Sequence, residues 1–128
     1  MSKIIKLQKG LDIKLVGAAE KTVVEMPVSG LYASCPTNYE GCVPKILVKV
    51  GDVVKAGSPL YFDKTRPEVM FCSPVSGVVS AVNRGEKRKV LSVVVEADGK
   101  QESESFAADL ATLSREELVK TLLDSGLW

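Results

Sequence analysis

The sequence predicts a mainly β fold, a small sandwich or barrel followed by one C-terminal helix. Three observations point there. Short alternating apolar runs recur between turn signals every ~8–12 residues, which is the spacing of an all-β domain. A V-x-x-G-acid core occurs twice, at Val48–Asp52 and at Val82–Glu86, each time between a strand-like run and a second apolar stretch. From about Phe106 the β-branched residues thin out and a helical pattern takes over.

The elements follow in chain order. Ile4 to Leu7 is a short strand candidate, and LDIKLVG (Leu11 to Gly17) alternates like a half-buried strand. TVVEMPVSGLYAS carries one or two strands, with Pro27 and Gly30 as breakers. VPKILVKV (Val43 to Val50) alternates again. Gly51-Asp52 turns the chain, VVKAG follows, and Gly57 turns it once more. LYFDK and EVMFCSP are short strands, the second stopped by Pro74. Gly77 closes the next turn and opens VVSAVNRG, and KVLSVVVEAD after Gly85 is the longest strand signal. At both repeated cores we expect the glycine to supply a positive φ and the acid to bond the turn backbone. In the tail, Ser114 and Glu117 form a capping box. Leu118, Val119, Leu122 and Leu123 then fall at helical spacing, and Gly126 stops the helix. The expected division is a β domain over residues 1–105 and a helical segment over 106–128. The apolar Leu127-Trp128 end is expected to lead into a downstream domain rather than close the fold.

Composition narrows the function. Lys+Arg 17 against Asp+Glu 16 gives a net charge of +1, which argues against a nucleic-acid partner. Aromatics at 5% give little surface for stacking bases. No apolar run approaches the ~20 residues of a membrane span, and MSKIIKLQKG has no cleavage pattern of a signal peptide. The chain has no histidine. Imidazole is therefore unavailable as general base, metal ligand or pH switch, and no Ser-His-Asp or Cys-His centre can be assembled from this chain alone. Cys35, Cys42 and Cys72 are an odd set, as expected of reduced thiols. Cys35 and Cys42 are too far apart for a usual zinc pair, and no second pair exists. We read them as loop thiols, with Cys72 a small buried strand residue, and assign neither a metal ligand nor a catalytic residue. G-x-G-x-x-G and iron–sulfur cysteine runs are absent from the sequence. NRGEKRK (Asn83 to Lys89) concentrates Arg84, Lys87, Arg88 and Lys89 on one hairpin. It is either a solvated tip or a contact patch for an acidic partner face or anionic headgroups.

GDVVKAGSPLYFDK followed by SPVSGVVSAVNRG resembles the lipoyl/biotinyl domain pattern and implies a barrel-sandwich hybrid. The matching positions are Gly51, Asp52, Val54, Gly57, Leu60, Asp63, Lys64, Glu68, Val69, Pro74, Gly77 and Val79. In carriers of that type the modified lysine sits at a tight hairpin tip. Here Lys64 occupies its place, but TRPEVMFCSP delays the return strand. Thr65-Arg66-Pro67 is expected to widen the tip, leaving Lys64 a solvated lysine beside a turn Asp. The alternative is a carrier domain that bears lipoate or biotin on Lys64.

A wider resemblance spans the chain. KLQKGLDIKLVG, YFDKTRPEVMFCSPVSG, NRGEKRKVLSVVVE and LLDSGLW, in that order, resemble the A subunit of the sodium-translocating NADH:quinone oxidoreductase. The C subunit of the Rnf electron-transfer complex is the next relative and the alternative assignment. The resemblance implies the opening domain of a longer, peripheral subunit on the cytoplasmic face of a bacterial inner membrane. It also implies a complex that moves electrons from NADH to ubiquinone and exports Na⁺. FMN, FAD, riboflavin and an iron–sulfur cluster are expected in partner subunits and none in this chain. The membrane-embedded B subunit is the chief expected partner. What remains for this chain is a docking role, with a contribution to quinone binding.

Overall fold

The computed structural model describes residues 10, 16–106, 109 and 111–127. The strand expected at Ile4 to Leu7 and most of the one at Leu11 to Gly17 lie outside them.

Among the described residues, seven strands form two antiparallel sheets. β1 (Leu31–Ser34), β3 (Val53–Val54), β6 (Gly77–Arg84) and β7 (Val90–Ala97) make one, in the order β1-β7-β6-β3. β2 (Pro44–Ile46), β4 (Pro59–Asp63) and β5 (Arg66–Cys72) make the other, in the order β2-β4-β5. The β-branched run of β7 explains its length: Val90, Val93 and Val95 turn inward while Leu91 and Glu96 face out. Val93 and Val95 meet Val54 and Val79 of their own sheet and Leu60 and Tyr61 of the other. The core thus lies between the sheets. Leu60, Tyr61, Val79 and Val93 are fully buried.

Of TVVEMPVSGLYAS, expected to carry one or two strands, Leu31–Ser34 is the one that forms, and VPKILVKV is shorter than expected. Thr22 to Ser29 forms no strand; Val23, Val24, Met26 and Val28 are exposed. Its alternation is real, but nothing pairs with it among the described residues, and a strand needs a partner ladder. VPKILVKV contributes the strand Pro44–Ile46, and Leu47 N–H carries the same register one residue further by donating to the Leu60 carbonyl at 2.9 Å.

The turns behave unequally. At Gly51 φ is +96°, and the Asp52 carboxylate accepts from Lys49 N–H at 2.8 Å. Gly51 N–H then donates to the Val79 carbonyl at 2.8 Å, docking the turn on β6. The second core does not repeat this chemistry. Gly85 has φ −100°, and the positive values fall on Lys87 (53°) and Arg88 (62°). Gly85 is small for a different reason: an added Cβ would lie 3.2 Å from Leu91 Cδ1. Gly57 turns the chain against Phe106, whose ring would sit 3.0 Å from a Cβ there.

Beyond β7 the chain wraps back. Residues 102–104 run beside Ala56, with Ala56 N–H donating to Glu102 and Glu104 N–H donating to Ala56. The helix α1 (Arg115–Asp124) starts at Ser114 with both halves of the capping box made: Glu117 N–H to Ser114 Oγ at 3.3 Å, and Ser114 N–H to Glu117 Oε2 at 2.9 Å. It packs on β5, its end lying over Cys72, whose thiol reaches the Asp124 carbonyl at 3.9 Å. Cys72 is half-buried under that end rather than fully interior. The helix thus folds back on the sandwich. No helix among the described residues is long and apolar enough to cross a membrane.

Candidate functional site

Of the residues singled out by sequence, Lys64, Arg84, Arg88 and Lys89 come together at one cavity, whereas Gly51, Gly57 and Gly77 do not line it. The β4–β5 hairpin carries Lys64 there. Asp63 pairs with Arg66 across it, so the tip is only Lys64-Thr65. The expected widening by Thr65-Arg66-Pro67 is therefore incorrect. The register slips between Phe62–Met70 and Asp63–Arg66, so the additional residues form a bulge at Pro67–Val69 within β5. Asp63 holds the tip closed. It accepts from Thr65 N–H at 3.0 Å, Thr65 Oγ1 at 2.7 Å and Val43 N–H at 3.2 Å. The Thr65 bonds, chiefly, hold its carboxyl below the usual carboxylate range, with Val43 N–H and Arg66 adding to them.

That gives a pH signature. A carboxylate with a depressed folded pKa contributes stability that is present above its unfolded pKa and lost as pH falls through the folded one. The window therefore runs downward from about pH 4. Between pH 6 and pH 2.5 the wild-type urea midpoint should fall further than that of Asp63→Asn. Equal falls would show that the tip bonds carry no differential stability.

The β6–β7 hairpin supplies the facing cations. Arg84, Lys87, Arg88 and Lys89 are all exposed, and Arg84 Nη1 donates to the Arg88 carbonyl at 3.3 Å. Residues 35–43 close the third side with a 3-10 turn at Pro36–Asn38. Tyr39 anchors this loop on Phe71, ring centroids 4.7 Å apart. Lys64 N–H ties the loop to the lysine tip through the Val43 carbonyl at 2.9 Å. Between these segments lies a cavity of about 490 Å³. Lys64, Arg84, Arg88 and Lys89 line it; Lys87 does not. Tyr39, Cys42, Val43 and Val90 give it an apolar wall, and among the described residues Glu40 is its one acidic lining residue. Sequence reasoning isolates the β6–β7 cations but not Lys64 as their neighbour, nor the loop that encloses them.

The thiols are free. Burial first, and then the Asp63 charge, push the Cys42 thiol up; burial alone raises Cys72. Both are thus held protonated and poorly nucleophilic at neutral pH. Among the described residues no three His, Cys, Asp or Glu side chains gather as a metal site.

Two curled antiparallel sheets around one core, with a lysine at a hairpin tip, define a barrel-sandwich hybrid domain. The family described as the NqrA N-terminal barrel-sandwich hybrid domain matches residues 5–98, and the chain belongs to it. Relatives extend the match. The A subunit of the Na(+)-translocating NADH-quinone reductase of Yersinia pseudotuberculosis is 43% identical over 128 residues, covering 98% of this chain and 29% of its own length. The proteins of the same name from Neisseria meningitidis and Pseudomonas aeruginosa are 42% and 44% identical at the same coverage. The chain thus spans about 29% of the length of the curated relatives it matches.

Proposed function

We propose that this chain is the N-terminal domain of the A subunit of a bacterial Na⁺-translocating NADH:quinone reductase, a complex that passes electrons from NADH to ubiquinone and exports Na⁺. The observation that carries this reading is 42–44% identity, over 98% of the chain, to proteins of that name. The domain's task is docking and positioning, with a contribution to quinone binding. The electron carriers, FMN, FAD, riboflavin and an iron–sulfur cluster, belong to partner subunits. The membrane-embedded B subunit is the main contact, and this subunit sits peripherally on the cytoplasmic face of the inner membrane. Two features of the chain support a positioning role: it contains no imidazole for proton transfer, and Cys42 and Cys72 are held as thiols. Lys87, exposed on the hairpin tip and outside the cavity lining, suits an acidic partner face.

The tight Lys64-Thr65 tip keeps one competing reading in play, a carrier modified on that lysine, and a single experiment separates the two. Lys64→Arg and Lys87→Glu are each built into the assembled complex. Activity, subunit retention and the intact mass of this chain's subunit are then measured. Lys64→Arg should keep NADH:quinone activity near wild type, and the wild-type chain should show no added mass. Lys87→Glu should release the subunit, more so at low salt, where like charges repel over a longer range. Loss of activity in Lys64→Arg with normal assembly, together with a cofactor mass on Lys64, would establish the carrier instead.

A further inference from the structure

We propose that the cavity between the two hairpin tips is an oxyanion site that takes a phosphate-bearing small ligand. This goes beyond docking and rests on different residues, because Lys87 stands outside the cavity.

Charge is the first argument. Among the described residues, Lys64, Arg84, Arg88 and Lys89 bring four positive charges to one cavity against Glu40 alone. Among the described residues none of the four meets a carboxylate in an ion pair; the two pairs present are Lys55–Glu102 and Lys120–Asp124. A single carboxylate ligand would neutralise only one of these cations. A phosphate monoester carries about −1.5 to −2 at neutral pH, and its oxygens match the guanidinium fork.

Geometry is the second. The cations come from two hairpins flanking the 35–43 loop, and that loop is fixed at its middle and at its end. Tyr39 rests on Phe71, and Val43 is bonded to both Asp63 and Lys64. The result is concave, and its ~490 Å³ falls in the range of small-molecule sites. A flat partner face would leave much of it unfilled. The apolar wall of Tyr39, Val43 and Val90 offers a surface for the remainder of the ligand.

Backbone conformation is the third. Lys87 and Arg88 both occupy the left-handed region, at φ 53° and 62°, although Gly85 stands two and three residues earlier and does not. Two such residues in succession are costly without glycine. Here they fold the tip so that Arg88 and Lys89 line the cavity while Lys87 stays outside it. Arg84 Nη1 on the Arg88 carbonyl holds that arrangement. A tip selected only for solubility has no need of it.

The test uses inorganic pyrophosphate titrated into the 128-residue chain by calorimetry. One pyrophosphate should bind per chain, with affinity falling as salt rises. Each lost charge-assisted hydrogen bond weakens binding about tenfold, so Arg84→Gln with Arg88→Gln should weaken it about a hundredfold. Lys64→Gln, on the opposite hairpin, should weaken it about tenfold, and Lys87→Gln less than twofold. All four positions are exposed, and unchanged circular dichroism would confirm that the variants fold. Two further probes identify the source of the phosphate. If phosphatidylglycerol vesicles retain the chain and pyrophosphate displaces it, the ligand is a lipid headgroup. If vesicles do not retain it while pyrophosphate binds, the ligand is a soluble phosphate. Either result supports the site. Absence of pyrophosphate binding, insensitivity to Lys64→Gln, or tighter binding of a hexaglutamate peptide would each overturn it, the last in favour of an acidic protein segment.

Discussion

Gly77→Ala should destabilise the domain by about 3 kcal/mol or more and lower its melting temperature by roughly 10 °C. The cause is steric. Gly77 opens β6 where β7 passes closest, paired with Ala97. A Cβ on it would lie 1.9 Å from the Glu96 carbonyl oxygen, 2.8 Å from the Glu96 carbonyl carbon and 3.0 Å from Ala97 Cα. These are backbone atoms, and they are held from both sides. Ala97 N–H donates to the Gly30 carbonyl at 2.9 Å. The preceding residue is stitched to the following loop as well: Ser76 Oγ meets Asp98 Oδ1 at 2.7 Å and accepts Glu102 N–H at 3.0 Å. To admit a methyl group the strands must part at the end of their ladder, breaking hydrogen bonds whose groups are otherwise satisfied. Gly30→Ala is the control, because a Cβ there meets nothing within 4 Å and should change stability by less than about 0.5 kcal/mol. Urea unfolding followed by far-UV circular dichroism measures both. Equal midpoints for the two variants would mean that the β6–β7 approach is soft.

Gly77 also shows what a sequence discloses and what it hides. That a turn falls there is local information, carried by Ser76-Gly77 between two apolar runs. That the glycine admits a neighbouring strand is not, because Glu96 is remote in sequence. The same division runs through the chain. β4, β6, β7 and α1 are legible because alternation, turn residues and a capping box are written in consecutive residues. Thr22 to Ser29 carries the same alternation and forms no strand, because pairing is decided elsewhere. A shared short motif makes Gly85 look like a twin of Gly51. Leu91, packed against it, is the deciding neighbour, and the positive φ moves to Lys87 and Arg88. The return spacing after Lys64 suggests a wide tip. Asp63 instead closes a two-residue turn and displaces the extra length into a bulge. The candidate site shows the greatest loss. Its cations are visible singly, but Lys64 meets Arg84 and Arg88 only after two hairpins and the 35–43 loop are folded together.

Tyr61→Ala should cost about 3–5 kcal/mol, the usual range for removing a large buried aromatic ring. Tyr61 is fully buried in β4. Its ring stacks on Phe71 of β5, centroids 4.8 Å apart and planes 15° from parallel. Phe71 in turn supports Tyr39 at 4.7 Å, so the truncation should also loosen the loop that walls the candidate site. The hydroxyl does separate work. It meets Ser34 Oγ at 2.9 Å, and Ser34 belongs to β1 of the other sheet. One side chain therefore joins the two sheets by both packing and a hydrogen bond. Tyr61→Phe removes only the second and should cost about 1 kcal/mol. A pH profile distinguishes these parts. Burial pushes the Tyr61 hydroxyl up to about 12, against the opposing effect of the Ser34 bond. A tyrosine raised in the folded state contributes stability that is intact below its unfolded pKa of about 10 and is lost as pH rises through the folded value. Wild type should therefore weaken between about pH 10 and pH 12 by more than Tyr61→Phe, which has no proton to lose there. The three proteins compared by urea unfolding at pH 7 and pH 11 should rank wild type, Phe, Ala at neutral pH. The gap between wild type and Phe should narrow at the higher pH. An Ala variant within about 1 kcal/mol of Phe would show that the ring stack contributes little, and that the sheets are held by the valine core alone.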